Sequence, residues 1–489
     1  MLKYNLFTLC VAVMLVATGC RQNASSVADA PISPAQIDEA ETAGNFTEAK
    51  QLIDYYIARN ELSADSIYLL NRRKEKMRRI AIDFNKSKDD VLTYIRKYYP
   101  DVNDDSLNRW EASKALEYKI IDGQKWYFER AAPNLFRLDA AAIARKAEVQ
   151  GDVSGDSGST LKKHLPEVVS YLTSTNKSRT TQKGFRIKFK LTLAADAVPD
   201  GETVRCWLPF PRNDHSRQTD VRLLSVNDSN YIISPSQYAH SSLYVEKVAH
   251  NGQPTVWEYE FSFRTSAEWH NLKNKPLLSY NLSSDAYSQF TAERPPHILF
   301  SDSIKAISKR IVGDETNNYQ KARKIFEWAD VAFPWAGARE YSTIDNIPAY
   351  VIENGHGDCG QVTLVFMTLA RYNGIPTRWQ SGFMLHPGSV NLHDWCEYYI
   401  EGIGWIPLDQ SFGVNTFADA DTDTDVRLFY SNGIDAYRLI VNNNHASDFF
   451  PAKLYPRSDN VDFQRGELEW RGGNLYYDVW DWDIDVSYE

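Results

Sequence analysis

The fold of this chain is decided by the stretch GHGDCGQVTLVFMTLARYNGIPTR, residues 355–378. The small residues before Cys359 predict a turn, and the apolar residues after it recur at helical spacing, so a helix should begin at Cys359. Gly374 and Pro376 should end that helix. Because unpaired N–H groups at a helix N-terminus stabilise a thiolate, we expect the pKa of Cys359 to be depressed and its sulfur to be a nucleophile.

A second stretch, HDWCEYYI at 393–400, is followed by a Gly-containing turn and by WIPLD at 405–409, which together predict a β-hairpin. Side chains alternate along a strand, so His393 and Trp395 share one face and Cys396 lies on the other. Asp409 reaches the face of His393 only if the turn has an odd number of residues or contains a bulge. The pattern therefore predicts a three-residue loop or a bulge.

Cys359, His393 and Asp409 have the composition of a cysteine triad, namely a thiol, an imidazole and an orienting carboxylate. These motifs and LARYNGIPTR at 369–378 closely resemble the core of the transglutaminase-like superfamily, in the same order. The resemblance implies a papain-like fold with Cys359 as nucleophile, His393 as base and Asp409 as the orienting acid. It implies no metal or organic cofactor.

One residue departs from the pattern of that family. In the animal members that crosslink proteins, Trp typically follows the nucleophile and shapes the acyl-acceptor tunnel, whereas Gly360 follows Cys359 here. We therefore expect hydrolysis at an amide or peptide bond at least as much as transfer to an amine, on a peptide, a protein or a peptidoglycan-derived amide. Trp335 is a candidate for an upstream aromatic residue that assists the oxyanion site, and a core Trp is the alternative.

Two other interpretations use the same region. The first is a zinc site formed by two His-x-x-Cys pairs, which needs four converging ligands. Its members would be His356, Cys359, His393 and Cys396. The odd offset of the second pair on a strand opposes this site. The second interpretation is a binding module, with an inactive transglutaminase-like core that grips peptide or glycan.

The N-terminus predicts export. Lys3 precedes an apolar run at 6–17, and small residues precede Cys20. The run is shorter than the ~20 residues that a spanning helix needs. This pattern resembles the bacterial lipoprotein signal, which implies lipid attachment at Cys20, a membrane contact through that lipid, and a cell-envelope location, periplasmic or at the outer-membrane surface. An ordinary secretory signal is the alternative.

The composition supports a globular multidomain protein. The chain has 489 residues, 43% of them hydrophobic and 13% aromatic, and a net charge of −10, so nucleic acid is not an expected partner. One basic run predicts a solvated helix face with a docking role: Arg72, Arg73, Lys74, Lys76, Arg78 and Arg79. Once the signal is removed and Cys20 carries lipid, the remaining cysteines form no disulfide framework. They are Cys206, which lies on an apolar strand stripe, Cys359 and Cys396.

The predicted fold class is α+β with several domains. The predicted segments are a signal at 1–19, a tether at 20–35, a helical domain with a winged-helix-like unit at 36–150, a linker at 151–183, a β-sandwich at 184–290, the transglutaminase-like core at 291–416 and a β-rich C-terminal extension at 417–489. Aspartate ladders at 419–425 and 481–485 permit a calcium interpretation, but the second alternates with apolar residues like the wet face of a strand.

Overall fold

The computed structural model describes residues 32–151, 157–273, 275–413 and 424–489. The predicted signal and Cys20 lie outside the described residues. No helix within these ranges is both long and apolar enough to cross a membrane.

A helical region with its own apolar core forms the N-terminal part. Its elements are α1 (Pro34–Thr42), α2 (Phe46–Arg59), α3 (Ala64–Asp83), α4 (Lys88–Ile95), α5 (Asp104–Ala112), β1 (Tyr118–Ile121), β2 (Gln124–Tyr127), α6 (Ala131–Leu138) and α7 (Ala140–Gln150). Asp122 and Gly123, both at positive φ, turn β1 into β2. The order α4, α5, hairpin matches the predicted helix-helix-hairpin order, and its identity as a winged-helix unit stays a prediction.

The segment predicted as a linker contains a helix, α8 (Ser157–Thr175). Its apolar residues, including Leu161, Leu165 and Leu172, pack into the same apolar cluster as the residues that follow Cys359. The strands that follow are β3 (Lys183–Leu193), β4 (Thr203–Pro209), β5 (Gln218–Val226), β6 (Tyr231–Ile233), β7 (Ser242–Val248), β8 (Thr255–Thr265) and β9 (Glu268–Trp269). Alternating burial along β3 and β8 matches the two-residue period of the sequence.

The thiol-bearing domain combines helices with one antiparallel sheet. Its elements are α9 (Asp285–Thr291), α10 (Asp302–Ile311), α11 (Asn318–Ala332), a 3₁₀ turn (Tyr341–Thr343), α12 (Ile347–Asn354), α13 (Cys359–Tyr372), β10 (Thr377–His386), β11 (Ser389–Ile400) and β12 (Gly404–Leu408). The buried face of α13 packs against Cys396 and Tyr398 of β11 in the largest apolar cluster. This packing fixes the N-terminus of α13 beside β11.

The C-terminal segment is interleaved with the earlier sheets. Its elements are α14 (Thr424–Arg427), a second 3₁₀ turn (Phe429–Ser431), β13 (Gly433–Ile434), β14 (Arg438–Asn442), β15 (Glu467–Trp470), β16 (Gly473–Leu475) and β17 (Trp480–Tyr488). The strand orders are β12-β11-β10-β14, β16-β15-β4-β7-β6 and β17-β3-β8-β5, and β13 pairs with β9. The sheet that contains β4 and the sheet that contains β3 share one apolar cluster. They therefore extend beyond the predicted boundaries of 184–290.

The basic helix α3 docks the helical region onto the rest of the molecule. Arg79 is buried and donates to the carbonyl oxygens of Arg457 and Ser458, at 2.8 and 3.2 Å. Arg78 pairs with Asp478 at 2.7 Å. The basic run thus contributes to an intramolecular contact, and the prediction of a solvated face is wrong at Arg79, which is buried.

Candidate active site

Helix α13 begins at Cys359, as the sequence predicts. A capping box sets this start, because the Gln361 N–H donates to Asp358 Oδ1 at 2.9 Å and the Asp358 N–H donates to Gln361 Oε1 at 3.3 Å. Cys359 is half-buried, whereas Cys206 and Cys396 are buried in apolar clusters. Cys359 is therefore the accessible thiol among the described residues.

The thiol lies against the carboxylate of Asp394. Cys359 Sγ donates to Asp394 Oδ2 at 3.3 Å. Gln464 Nε2 donates to Asp394 Oδ1 at 2.8 Å, and Tyr341 Oη lies 3.2 Å from Asp394 Oδ2 and 2.8 Å from Asp358 Oδ1. Groups from two separate segments thus orient this carboxylate, and one of its oxygens faces the sulfur.

The electrostatics of this site differ from the expectation. Burial raises the pKa of the Cys359 thiol well above its ordinary value, and the carboxylates of Asp394 and Asp358 raise it further. The predicted depressed pKa is therefore wrong, because desolvation and two acids outweigh the stabilisation that a helix N-terminus gives a thiolate. Burial, and then the neighbouring Asp462, also raise the pKa of Asp394. Both the sulfur and the carboxyl group thus favour their protonated forms.

His393 and Asp409 come together as the hairpin analysis predicts. Residues 401–403 form a three-residue loop, with Ile400 opposite Gly404 and Cys396 opposite Leu408. His393 Nε2 lies 2.8 Å from Asp409 Oδ2. His393 Nδ1 has no hydrogen bond with any residue of the described ranges. The imidazole is thus oriented by the carboxylate through one nitrogen and has the other nitrogen available.

Arg438 on β14 completes this pair. It is fully buried and forms ion pairs with Asp409 Oδ2 and with Asp435 Oδ2, both at 2.7 Å. Although burial opposes ionisation, His393 and Arg438 hold the pKa of Asp409 below its usual value. Burial lowers the pKa of His393 despite the attraction of Asp409. The imidazole is therefore held in its neutral form, which can accept a proton.

The three predicted residues lie on two sides of one strand. His393 and Asp394 are consecutive in β11, so their side chains leave opposite faces of the sheet. Across the described ranges, the side-chain hydrogen bond of Cys359 runs to Asp394, and none joins Cys359 to His393. His393 and Asp409 are thus brought together, and Cys359 is placed beside the residue next to His393.

Trp335 lies beside the cysteine loop. It pairs with Gly357 in a parallel bridge, and it is 41% exposed, so the alternative of a core Trp is wrong. Arg137 of α6 lies 4.5 Å from the centre of its ring. Asn134 of the same helix exchanges two hydrogen bonds with the backbone of Gly337, at 2.8 and 2.9 Å. The helical region therefore borders the site.

The structure opposes the metal-site alternatives at the residues it describes. Cys396 packs under α13, on the face opposite His393, and no group of three or more His, Cys, Asp or Glu side chains in the described ranges is arranged to hold a metal ion. Residues 481–485 alternate along β17 with their aspartates exposed, as expected for the wet face of a strand. Residues 419–423 lie outside the described residues.

Sequence reasoning missed four residues of the site: Tyr341, Asp394, Gln464 and Arg438. One signal was available for Asp394, because an acid on the strand face that also carries Cys396 and Tyr398 is unusual in a buried position. No local signal identifies the other three, because they come from distant segments and reach the site only in the folded chain.

One comparison with known proteins, a family model, covers this location. The model of the transglutaminase-like superfamily matches residues 305–410. An uncharacterized protein of Haemophilus influenzae is 25% identical over 54% of this chain and 79% of its own length. Among solved structures, a candidate cysteine protease from Cytophaga hutchinsonii is 12% identical and covers 63% of this chain and 92% of its own, with a TM-score of 0.42. The periplasmic domain of TgpA from Pseudomonas aeruginosa is 12% identical and covers 53% of this chain and 91% of its own, with a TM-score of 0.26. The chain therefore carries a transglutaminase-like domain at residues 305–410.

Proposed function

We propose that the protein is a thiol-dependent enzyme that cleaves amide or peptide bonds, or transfers their acyl groups, in the cell envelope. Cys359 is the nucleophile, His393 the base and Asp409 the acid that orients it. Cys20 carries the lipid anchor. The observation that carries the proposal is an accessible thiol at the first turn of a helix in the transglutaminase-like domain, next to a strand that bears an oriented, neutral imidazole.

In the proposed reaction, the sulfur leaves Asp394 and, in a conformation that differs from the resting one, comes within reach of the available Nδ1 of His393, which takes the thiol proton. The thiolate attacks the carbonyl carbon, the C–N bond breaks, and the imidazolium gives its proton to the departing amine. Water then attacks the thioester and gives a proton to His393. The C–S bond breaks, and that proton returns to the sulfur.

Hydrolysis is proposed as the main outcome because of the packing around Gly360. A Cβ atom at this position would lie 2.6 Å from Asp394 Oδ2 and 2.9 Å from Trp379 Cη2, and it would clash with Tyr341 Oη. A Trp after the nucleophile does not fit this arrangement. Without the tunnel that such a Trp shapes, water competes well for the thioester.

The test is turnover of peptidoglycan fragments, Gln-containing peptides and denatured proteins, followed by amine release and mass shifts. Cys359→Ala should abolish turnover and His393→Ala nearly so, whereas Asp409→Asn should leave residual activity because Asp409 does not bond to substrate. Cys396→Ala is the matched control, since its thiol is fully buried in the apolar cluster under α13. Full turnover by Cys359→Ala would refute the proposal.

A second candidate, an inactive module that binds peptide or glycan, is favoured by one observation. The resting thiol is bonded to Asp394 and not to His393, and its pKa is raised. Binding of a peptide or glycan by the wild-type protein, without Cys359-dependent chemistry on any of these substrates, would support this candidate.

A further inference from the structure

A large cleft lies between the helical region, the thiol-bearing domain and part of the C-terminal segment. Its volume is about 1470 Å³, and its walls are α3, the turn Tyr341–Thr343 with α12, and the segment 446–460. Cys359, His393 and Asp409 are not among its lining residues. The cleft nevertheless adjoins their site, because Tyr341, at the start of the lining turn, bonds to Asp358 and lies beside Asp394. A ligand in the cleft would thus lie on the other side of this turn from the thiol.

The charges in the cleft are unbalanced. Most of its carboxylates are ion-paired with lysine or arginine side chains; these are Asp38, Glu41, Glu75, Asp345 and Glu353. In contrast, none of the carboxylates in the described ranges lies within 4.0 Å of the cationic groups of Arg72, Lys119 and Arg457, which also line the cleft. Asp448 is the one lining carboxylate without an ion pair to a described residue, so these three cations still form a local positive surplus in a chain with a net charge of −10.

Two of these cations have no carboxylate of the described ranges at ion-pair distance. Arg457 donates to His240 Nε2 and to the Ser447 carbonyl oxygen, both at 2.9 Å, so its position is fixed by neutral partners. Burial lowers the pKa of Lys119, and the nearby Arg339 and Lys76 lower it further, although Glu117 and Asp345 partly oppose this shift. An anionic group placed between the walls would offset the repulsion at Lys119 and pair with Arg457.

The cleft also exposes apolar side chains. Tyr68 is 44% exposed, Leu69 56% and Leu454 71%, and all three line it. Arg72 lies over the ring of Tyr68, 5.9 Å from its centre. Cationic and apolar side chains together suit a ligand that carries both carboxylates and apolar groups, and a peptide has both. A purely phosphorylated polymer would leave the apolar residues uncovered.

We propose that this cleft binds an acidic peptide segment, with its carboxylates at Arg72, Lys119 and Arg457 and its apolar side chains on Tyr68 and Leu454. The choice of a peptide rests on the proposed function. The bound peptide segment is then the part of an amide substrate that lies away from the bond attacked by Cys359. The cleft thus sets the substrate class as acidic peptides or proteins.

The experiment measures binding by fluorescence anisotropy in Cys359→Ala protein, which binds without turnover. The probes are labelled octapeptides of Glu, Leu and Tyr and the same peptides with Gln for Glu. The acidic probe should bind at least about ten-fold more tightly at low salt, and less tightly as salt screens the charges. Arg72→Gln with Lys119→Gln should weaken its binding by about five- to thirty-fold.

The matched control is Lys309→Gln with Arg310→Gln, which removes the same two charges from α10, outside the cleft, and should leave the affinity unchanged. An unchanged melting temperature excludes misfolding of either double variant. Equal binding of the acidic and Gln probes, an unaffected Arg72/Lys119 variant, or tight binding of polyphosphate or an anionic glycan in place of the peptide would overturn the proposal. Because binding is measured without turnover, this test of the cleft does not depend on whether the proposed enzyme activity is found.

Discussion

At the scale of single residues, Asp394 controls the state of the thiol. Its carboxylate is in contact with Cys359 Sγ and contributes to the raised pKa of that thiol. The residue before it, His393, belongs to a different polar network with Asp409 and Arg438. Two consecutive residues therefore govern the nucleophile and the base separately.

Replacing Asp394 by Asn should make Cys359 more reactive. The substitution removes the carboxyl group whose ionised form opposes a thiolate, and it supplies an N–H donor beside the sulfur. The thiol pKa should therefore fall, and each unit of fall should increase the thiolate fraction about ten-fold at neutral pH. The measurement is the rate of alkylation by iodoacetamide between pH 6 and 9. Asp485→Asn, on the exposed face of β17, is the control. A slower reaction of the Asp394→Asn protein would mean that the carboxylate activates the thiol.

At the scale of elements, the start of α13 is packed without spare room. The Cβ position of Gly360 is occupied by atoms of Tyr341, Asp394 and Trp379. Helix α13, the 3₁₀ turn and strands β10 and β11 therefore meet at a position that only glycine fits.

Gly360→Ala should lower the free energy of unfolding by about 1–3 kcal/mol, because an added methyl group forces these elements apart. Urea unfolding measures this loss. The same substitution in a Tyr341→Phe background should cost less, since that variant removes the nearest clashing atom. An equal loss in both backgrounds would show that Tyr341 is not the obstacle.

The contact between α3 and the 3₁₀ turn carries a pH dependence. Asp83 is buried and accepts hydrogen bonds from Thr343 Oγ1 at 3.0 Å and from the Glu340 N–H at 3.2 Å. Burial, and then Glu340, raise the pKa of Asp83 to about 7. Between about pH 4 and 7 the folded protein thus holds a proton that the unfolded chain releases, so this group's contribution to stability decreases as the pH rises through that window.

Asp83→Asn should remove that decrease. The measured quantity is the free energy of unfolding of the wild type minus that of the variant. This difference should be about 1–4 kcal/mol smaller at pH 8 than at pH 5. Urea unfolding at the two pH values measures the difference, with Asp105→Asn, exposed on α5, as the control. A relative stability that does not change with pH would contradict the raised pKa.

Local elements of this site could be predicted from the sequence, and their assembly could not. The start of α13 and the loop at 401–403 depend on turn residues and short-range periodicity, which the sequence displays. The contact of Cys359 with Asp394 depends on how α13 crosses β11, and the ion pair of Asp409 depends on β14. The direction of the thiol pKa was mistaken for the same reason, since burial and neighbouring acids are tertiary properties.

At the scale of the whole molecule, the C-terminal strands link the parts of the chain. Strand β14 joins the sheet of the thiol-bearing domain, while β15 and β17 join the two sheets that begin with β4 and β3. The apolar cluster of those two sheets includes Phe383 and Leu439 of the thiol-bearing sheet. These parts should therefore unfold together.

The cysteines report this cooperativity. Cys206 lies in the cluster of the two sheets and Cys396 in the cluster under α13, both fully buried. In increasing urea, pulses of iodoacetamide followed by peptide mass spectrometry should label both at one midpoint, while Cys359 reacts below it. Separate midpoints for Cys206 and Cys396 would indicate independent domains.

The pairing of β3 with β17 has a consequence for synthesis. Leu193 lies opposite Trp480, and Phe185 lies opposite Tyr488, so β3 gains this partner only when residues far downstream in the chain have been synthesised. At translation rates of about 5–20 residues per second, that wait is roughly 15–60 s. During this interval one edge of β3 has no partner strand, and an unpaired apolar edge is prone to join other chains. A nascent chain that lacks β17 thus exposes this edge of β3 to other chains, and a holding chaperone would act on it in that interval.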